Sequence, residues 1–253
     1  MEENAFSIGI LFNALVSSIV AGSAMALAVF LFKRYGRLNI IMRSYAWFWF
    51  FTVLVWITLS VRYALIGFGL ASHWINYFDI ALQIAVFGGG APLVFYVGLR
   101  VFEDKKAAGI LAIASIFSIV AAIWLILQPG GLVVQETTFF TSESIINTGS
   151  LIIFNVEGAI ILFFLTYDTA MRLRRWHADH NEAKIFYEAL YSLAIMIYLF
   201  LGIIEQSGLV TDWILVVFRI LYAAAFLFVY VVITQYEAAG EIYLTEEKNI
   251  ITI

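Results

Sequence analysis

Five ionisable residues stand where water is scarce: Arg62, Asp79, Glu157, Glu205 and Arg219 each lie within a long apolar run of this 253-residue chain. A charge in hydrocarbon costs a few kcal/mol or more, so such residues turn inward and find partners. Counted from the lysine-free ends of their runs, Glu205 lies three residues in, Asp79 five, Arg219 six, Arg62 seven and Glu157 about ten. At helical rise, six residues correspond to about 9 Å of depth. The five come from five different runs, yet all fall in one half of a membrane. Pairing Arg219 with Asp79 or Glu157, and Arg62 with another acid, balances most of the layer. One carboxyl is left to be protonated or hydrated. The chemistry offered is binding of a proton or a small polar ligand. No nucleophile elbow, phosphate loop or paired-carboxylate hydrolytic site stands in the sequence, so the reading is non-enzymatic.

Neighbouring residues continue the theme. Asn76, Asp79 and Gln83 fall at i, i+3 and i+7, one face of a helix. Thr58 stands one turn from Arg62. Arg219 shares a stripe with Tyr222, Ala223, Phe226 and Tyr230, and Glu205 aligns with Gly202, Tyr198 and Tyr191. Tyrosine hydroxyls satisfy charged groups while their rings line a pocket. The expected site is therefore Arg62, Asp79, Gln83, Glu157, Tyr198, Glu205, Arg219 and Tyr222. The competing reading is a set of buried pairs that only fixes helix register, with Glu205 hydrated at the rim and Arg62 snorkelling outward. "FGGGAP", residues 87–92, interrupts the third run just beyond the layer. Its glycines allow close helix packing with a proline kink, or loosening beside a cavity. Asp168 and Glu188, near the opposite ends of their runs, are expected to hydrate. His177 and His180 are three apart beside Asp179 but have no evident third protein ligand, and read as a solvated basic loop rather than a metal site.

The elements that must hold these residues are membrane helices. The chain is 63% hydrophobic and 13% charged, against about 25% charged in soluble domains. Runs of roughly 20 apolar residues match the hydrocarbon thickness. Seven spans are expected, at about 8–32, 45–69, 74–102, 107–127, 147–171, 185–208 and 213–235. The fold class is all-α: a polytopic seven-helix membrane protein in one domain, with a short tail at 236–253. Zero cysteines exclude disulfides and thiolate metal sites. A net charge of −4 offers no basic footprint for nucleic acid. The start, "MEENAFSIG", lacks the basic region and cleavage site of a signal peptide, so the first run is expected to be retained. The longest connection, "QPGGLVVQETTFFTSESIINTG", has room for a hairpin or a short lid, and "VVQETTFF" is its β-like portion.

Basic residues set the expected direction. Lys33, Arg34, Arg37 and Arg43 follow span one, Arg100, Lys105 and Lys106 follow span three, and Arg172, Arg174, Arg175 and Lys184 follow span five. The other connections carry neither Lys nor Arg, which predicts an outside N-terminus and an inside C-terminus. An offset of 139 residues aligns "GLASHWI" at Gly69 with "GLVTDWI" at Gly208, and the basic hairpin at Lys33 with that at Arg172. The spans then form a parallel 3+1+3 repeat: repeat A at about 8–102, a linker helix at 107–127 and repeat B at 147–235.

Seven spans of this length and direction resemble the microbial rhodopsins. "NYFD", residues 76–79, is similar to their third-helix motif, in which an arginine–tyrosine pair precedes the counter-ion aspartate; Asp79 matches the aspartate, and Asn76 departs from the arginine. Their seventh helix carries an aspartate and, four positions on, the lysine of the retinal Schiff base. Arg219 and Ala223 occupy those places here, and span seven has no lysine. The resemblance implies an opsin-like scaffold without covalent retinal or any other predicted cofactor, a non-covalent chromophore or lipid being left open. Seven-helix input modules of bacterial sensor kinases look similar, but no kinase domain follows. Small sugar transporters share the repeat count, although their repeats use more prolines than Pro92 and Pro129. The leading expectation is a receptor or sensor with an outward-facing polar pocket, in the cytoplasmic membrane of a prokaryote. Its partners would be the bilayer, a second copy of the chain or a membrane signalling protein. A small-solute or proton-coupled transporter and a structural subunit of a membrane complex are the alternatives.

Overall fold

In hydrocarbon no water can satisfy backbone amides, so apolar runs of this length close their hydrogen bonds internally as helices. The computed structural model, which describes residues 7–70, 72–134, 137–178, 183–208, 210 and 212–238, has eight α-helices among them. They are α1 (Ile8–Lys33), α2 (Ile40–Gly67), α3 (Ser72–Gly88), α4 (Gly90–Phe102), α5 (Lys105–Ile126), α6 (Thr148–Ala178), α7 (Ala183–Gln206) and α8 (Trp213–Ala238). Helices α3 and α4 form one membrane-length rod, Trp74–Phe102, so seven spans result. The chain is an integral, multi-pass all-α membrane protein. The first six residues, His180 and the last fifteen residues of the tail lie outside the described part.

Several helices overrun the hydropathic spans because polar turns extend them. Helix α2 begins at Ile40 rather than near 45, where the Asn39 side chain accepts from the Met42 N–H at 2.8 Å and satisfies an otherwise orphaned amide. Helix α6 continues through Arg172, Arg174 and Arg175 to Ala178. Asp104 caps α5 by accepting from the Lys106 N–H at 2.8 Å.

The helices close a ring in chain order: α1 packs on α2, α2 on α3 and α4, α4 on α5, α5 on α6, α6 on α7, α7 on α8, and α8 on α1. A buried aromatic column fills the centre. Tyr45 lies 5.3 Å from Tyr96 and 5.6 Å from Tyr191, ring to ring, and Trp49 meets Phe226 edge-on at 4.8 Å. Ile110, Ile113, Phe117 and Trp124 of α5 stay exposed on the face a bilayer would wet.

Two corners share one backbone geometry. After α2, Phe68 N–H donates to Ala64 O and Gly69 N–H to Ile66 O, with Gly69 at φ 65°. After α7, Ser207 donates to Ile203 O and Gly208 to Glu205 O, with Gly208 at φ 70°. The 139-residue offset carries these two bonds of one turn onto those of the other. Glycine is needed at both because a left-handed φ strains residues bearing a Cβ.

Between α5 and α6, β1 (Leu132–Val134) pairs antiparallel with β2 (Ser144–Ile146), Leu132 opposite Ile146. The β-like stretch thus supplies only part of one strand. Turn residue Gly131 donates to Gln128 O and accepts from Asn147 N–H, tying the hairpin to the end of α5. A Cβ there would stand 2.3 Å from the carbonyl oxygens of Leu125 and Ile126. Gly131→Ala is therefore expected to destabilise the protein by about 1–3 kcal/mol through overpacking and to expose the hairpin to protease. At Gly22 an added Cβ meets nothing within 4 Å, so Gly22→Ala should leave the unfolding midpoint in detergent unchanged or slightly raised.

Candidate functional site

At the hairpin end of the bundle, Arg62 on α2 and Asp79 on α3 form a close ion pair, 1% and 0% exposed. Arg62 also donates to the Ser142 carbonyl, and Ser144 Oγ donates to Asp79 Oδ1 at 2.9 Å. Snorkelling is excluded by this burial: the guanidinium is held between two helices and the hairpin. Arg219, 0% exposed, sits at the junction of three further helices. Its Nε donates to Ser17 Oγ of α1 at 3.0 Å and its Nη2 to Tyr63 Oη of α2 at 2.8 Å. Glu143 of the hairpin and Glu205 of α7 flank the same Nη2 at 3.3 and 3.4 Å. Tyr63 in turn donates to Glu143, and Tyr222 to Glu205 at 3.1 Å. A permanent cation is tolerated inside α8 because two carboxylates and two hydroxyls replace its water.

The pairing differs from that expected by counting charges. Arg219 takes neither Asp79 nor Glu157; Asp79 belongs to Arg62, and the second acid on Arg219 is Glu143. Glu143 has no helical depth to read, because it lies on a loop next to β2 that folds down into the bundle. Asn76 leaves the expected face as well. It is exposed beside Trp74 and Tyr77 in the first turns of α3, while Asp79 and Gln83, deeper in the rod, are buried.

A cavity of about 120 Å³ lies against this network. Arg62, Glu143, Gln83, Glu157, Glu205 and Tyr222 reach its wall, and Tyr198 of α7 lines it with its ring 5.4 Å from that of Tyr222. All eight expected site residues thus lie in the network or on the cavity wall, Asp79 and Arg219 in the network alone. Glu157 is set apart from the arginines, and its carboxylate accepts from Ser115 of α5. The glycines of "FGGGAP" do both things expected of them. A Cβ at Gly88 would strike the Phe51 ring at 2.5 Å, whereas Gly89 interrupts the rod and Gly90 borders the cavity, where a Cβ would stand 3.4 Å from Glu157 Oε1.

A second ionic cluster occupies the basic end, contrary to the expectation that Asp168 and Glu188 hydrate. Arg100 is 4% and Asp168 7% exposed. Arg100 Nε and Nη2 approach Asp168 Oδ2 at 2.8 and 2.7 Å, and Nη1 donates to Tyr96 Oη at 2.8 Å. Arg172 Nε adds a bond to Asp168 Oδ1 at 2.9 Å, and its other end pairs with Glu188. Its sequence neighbours place Arg100 among loop charges, but the last turns of α4 carry it between α6 and α7. Reading apolar runs alone hides such a cluster, because each member lies at the hydropathic edge of its own span.

Among protein-family models, curated proteins and solved structures, none matches this chain.

Proposed function

We propose that this chain is a non-enzymatic membrane receptor or sensor, an opsin-like seven-helix scaffold in a prokaryotic cytoplasmic membrane. Its hairpin end faces outward and its basic loops face the cytoplasm. The observation that carries the reading is the 120 Å³ cavity in direct contact with both the arginine-bound acids Glu143 and Glu205 and the lone Glu157. Past Phe48 and Leu93 the cavity wall ends, and the packed rings of Tyr45, Tyr96 and Tyr191 fill the space down to Arg100. An occupant would touch α2, α3, α4, α6, α7 and α8 at once. A ligand that contacts one helix arrangement better than another shifts the population between them. The cytoplasmic loops would report that shift to a second copy or a membrane signalling protein. Covalent retinal does not fit: no lysine lines the cavity among the described residues, and an imine requires one.

Transport is the second reading, favoured by one observation: an ionic cluster stands on either side of the cavity, as alternating closure at two gates requires. A single cysteine separates the two in a chain with none of its own. At Gly202, on the cavity wall, the nearest atom to an added Cβ is Tyr222 Oη at 4.0 Å, so Gly202→Cys fits. A receptor predicts reaction with a small membrane-impermeant thiol reagent from the hairpin side only. Equal reaction from the basic side would sink the receptor reading in favour of transport.

A further inference from the structure

Resting on the receptor reading, we infer that the cavity ligand is a small organic cation, a single-ring amine whose ammonium group meets Glu157. The inference begins from charge. Arg62 is taken by Asp79, and Arg219 by Glu143 and Glu205. Glu157 is the carboxylate left over. Among the described residues no Lys or Arg lies within ion-pair distance of it, and its one hydrogen bond there comes from the Ser115 hydroxyl. A carboxyl facing a cavity in the membrane without a counter-charge either holds a proton or takes up a cation.

The rest of the wall agrees. Gln83 lines the cavity and is 1% exposed, and its side-chain oxygen has no hydrogen-bond partner among the described residues. That is a second acceptor with nothing to accept from. Phe48, Phe51, Trp56, Phe87 and Phe154 border the same space, and ring faces attract ammonium groups. Arg62 Nη2 and Trp56 Nε1 on the same wall are donors without a partner among the described residues, yet the aromatic rings and three carboxylates favour a cation over an anion, which would meet carboxylates on three sides. Size limits the ligand. An apolar cavity of about 150 Å³ holds one benzene molecule, so about 120 Å³ sets an upper limit of one ring, with the short arm of an amine lying along the wall toward Glu157.

Benzylamine, benzyl alcohol and benzoate have the same ring and differ in charge, which makes them the probes. Purified protein in nanodiscs is titrated with each, and binding is followed by tryptophan fluorescence and by the unfolding midpoint. Benzylamine is expected to bind and to raise the midpoint, the other two at least about tenfold more weakly, the equivalent of one desolvated ion contact. Glu157→Gln keeps the shape and the Ser115 bond, and should remove the preference for benzylamine over benzyl alcohol without lowering the stability of the ligand-free protein. Equal binding of benzylamine and benzyl alcohol overturns the cation while leaving a ligand cavity in place. So does a benzylamine preference that survives Glu157→Gln. If no probe binds and Gly202→Phe, which fills the cavity without adding an indole, leaves the folded protein and its unfolding midpoint unchanged, both the ligand class and the receptor reading fail.

Discussion

Replacing Arg219 with glutamine is expected to destabilise the bundle by about 3–5 kcal/mol, the usual consequence of removing one partner from a buried ion pair. The size follows from what stays behind. Glu143 and Glu205 lose the guanidinium that lies 3.3 and 3.4 Å away, and Tyr63 and Ser17 lose the donor they share. Five parts of the chain, α1, α2, α7, α8 and the hairpin, meet at this one side chain, so its loss loosens them together. Arg219→Lys should recover only part of the loss, because a single ammonium cannot span Ser17, Tyr63 and two carboxylates as a planar fork does. Combining Arg219→Met with Glu143→Gln and Glu205→Gln removes all three charges and should return stability to near the starting value. Denaturant titration in detergent, followed by helical circular dichroism, measures each. A single Arg219→Gln change costing less than about 1 kcal/mol would mean that the network is solvated, as surface pairs are.

Asp168→Asn should produce the second largest effect, about 3 kcal/mol or more. Asp168 is the hinge of the other cluster: it takes Arg100 from α4 on one oxygen and Arg172 on the other, at 2.7–2.9 Å. Neutralising it leaves Arg100, buried beneath Tyr96 and Tyr191, short of its main counter-charge. Glu188→Gln offers the internal comparison. Its side chain is 14% and that of its partner Arg172 21% exposed, so water shares the load and the expected loss is within about 1 kcal/mol. Equal losses from the two substitutions would show that the basic end of the bundle is wet throughout. A loss confined to Asp168 would make this cluster the element that holds α4 against α6 and α7.

Helix geometry explains why so much of the site was legible. Rise per residue is constant, so the position of Arg62, Asp79, Glu205 or Arg219 within its run states its depth before any fold is known. Residues of one depth on several spans form a layer once the spans bundle, and the layer is there. Periodicity did similar work for the Arg219–Tyr222–Phe226 stripe, buried along its length. The same logic fails where regular rise ends. Glu143 and its neighbours Ser142 and Ser144 lie in and beside a three-residue strand whose fold back into the bundle follows from the hairpin and from Gly131, which no hydropathic run records. Helix ends misled in the other direction. Arg100 and Asp168 look solvated because each is at a span boundary, yet the boundaries brought together bury both, while Glu188 stays partly open to water.

What the chain's order of residues determines alone is the solvent and the depth: seven apolar stretches long enough for a bilayer, and at which height each charge resides. Tertiary structure decides the partners. Depth is a one-dimensional quantity, carried by a fixed helical rise, whereas contact depends on the azimuth and neighbours of each helix, which only packing sets. So Glu157, level with the network by its count, ends beside Ser115 and an open space, and Glu143, with no depth of its own, ends on Arg219.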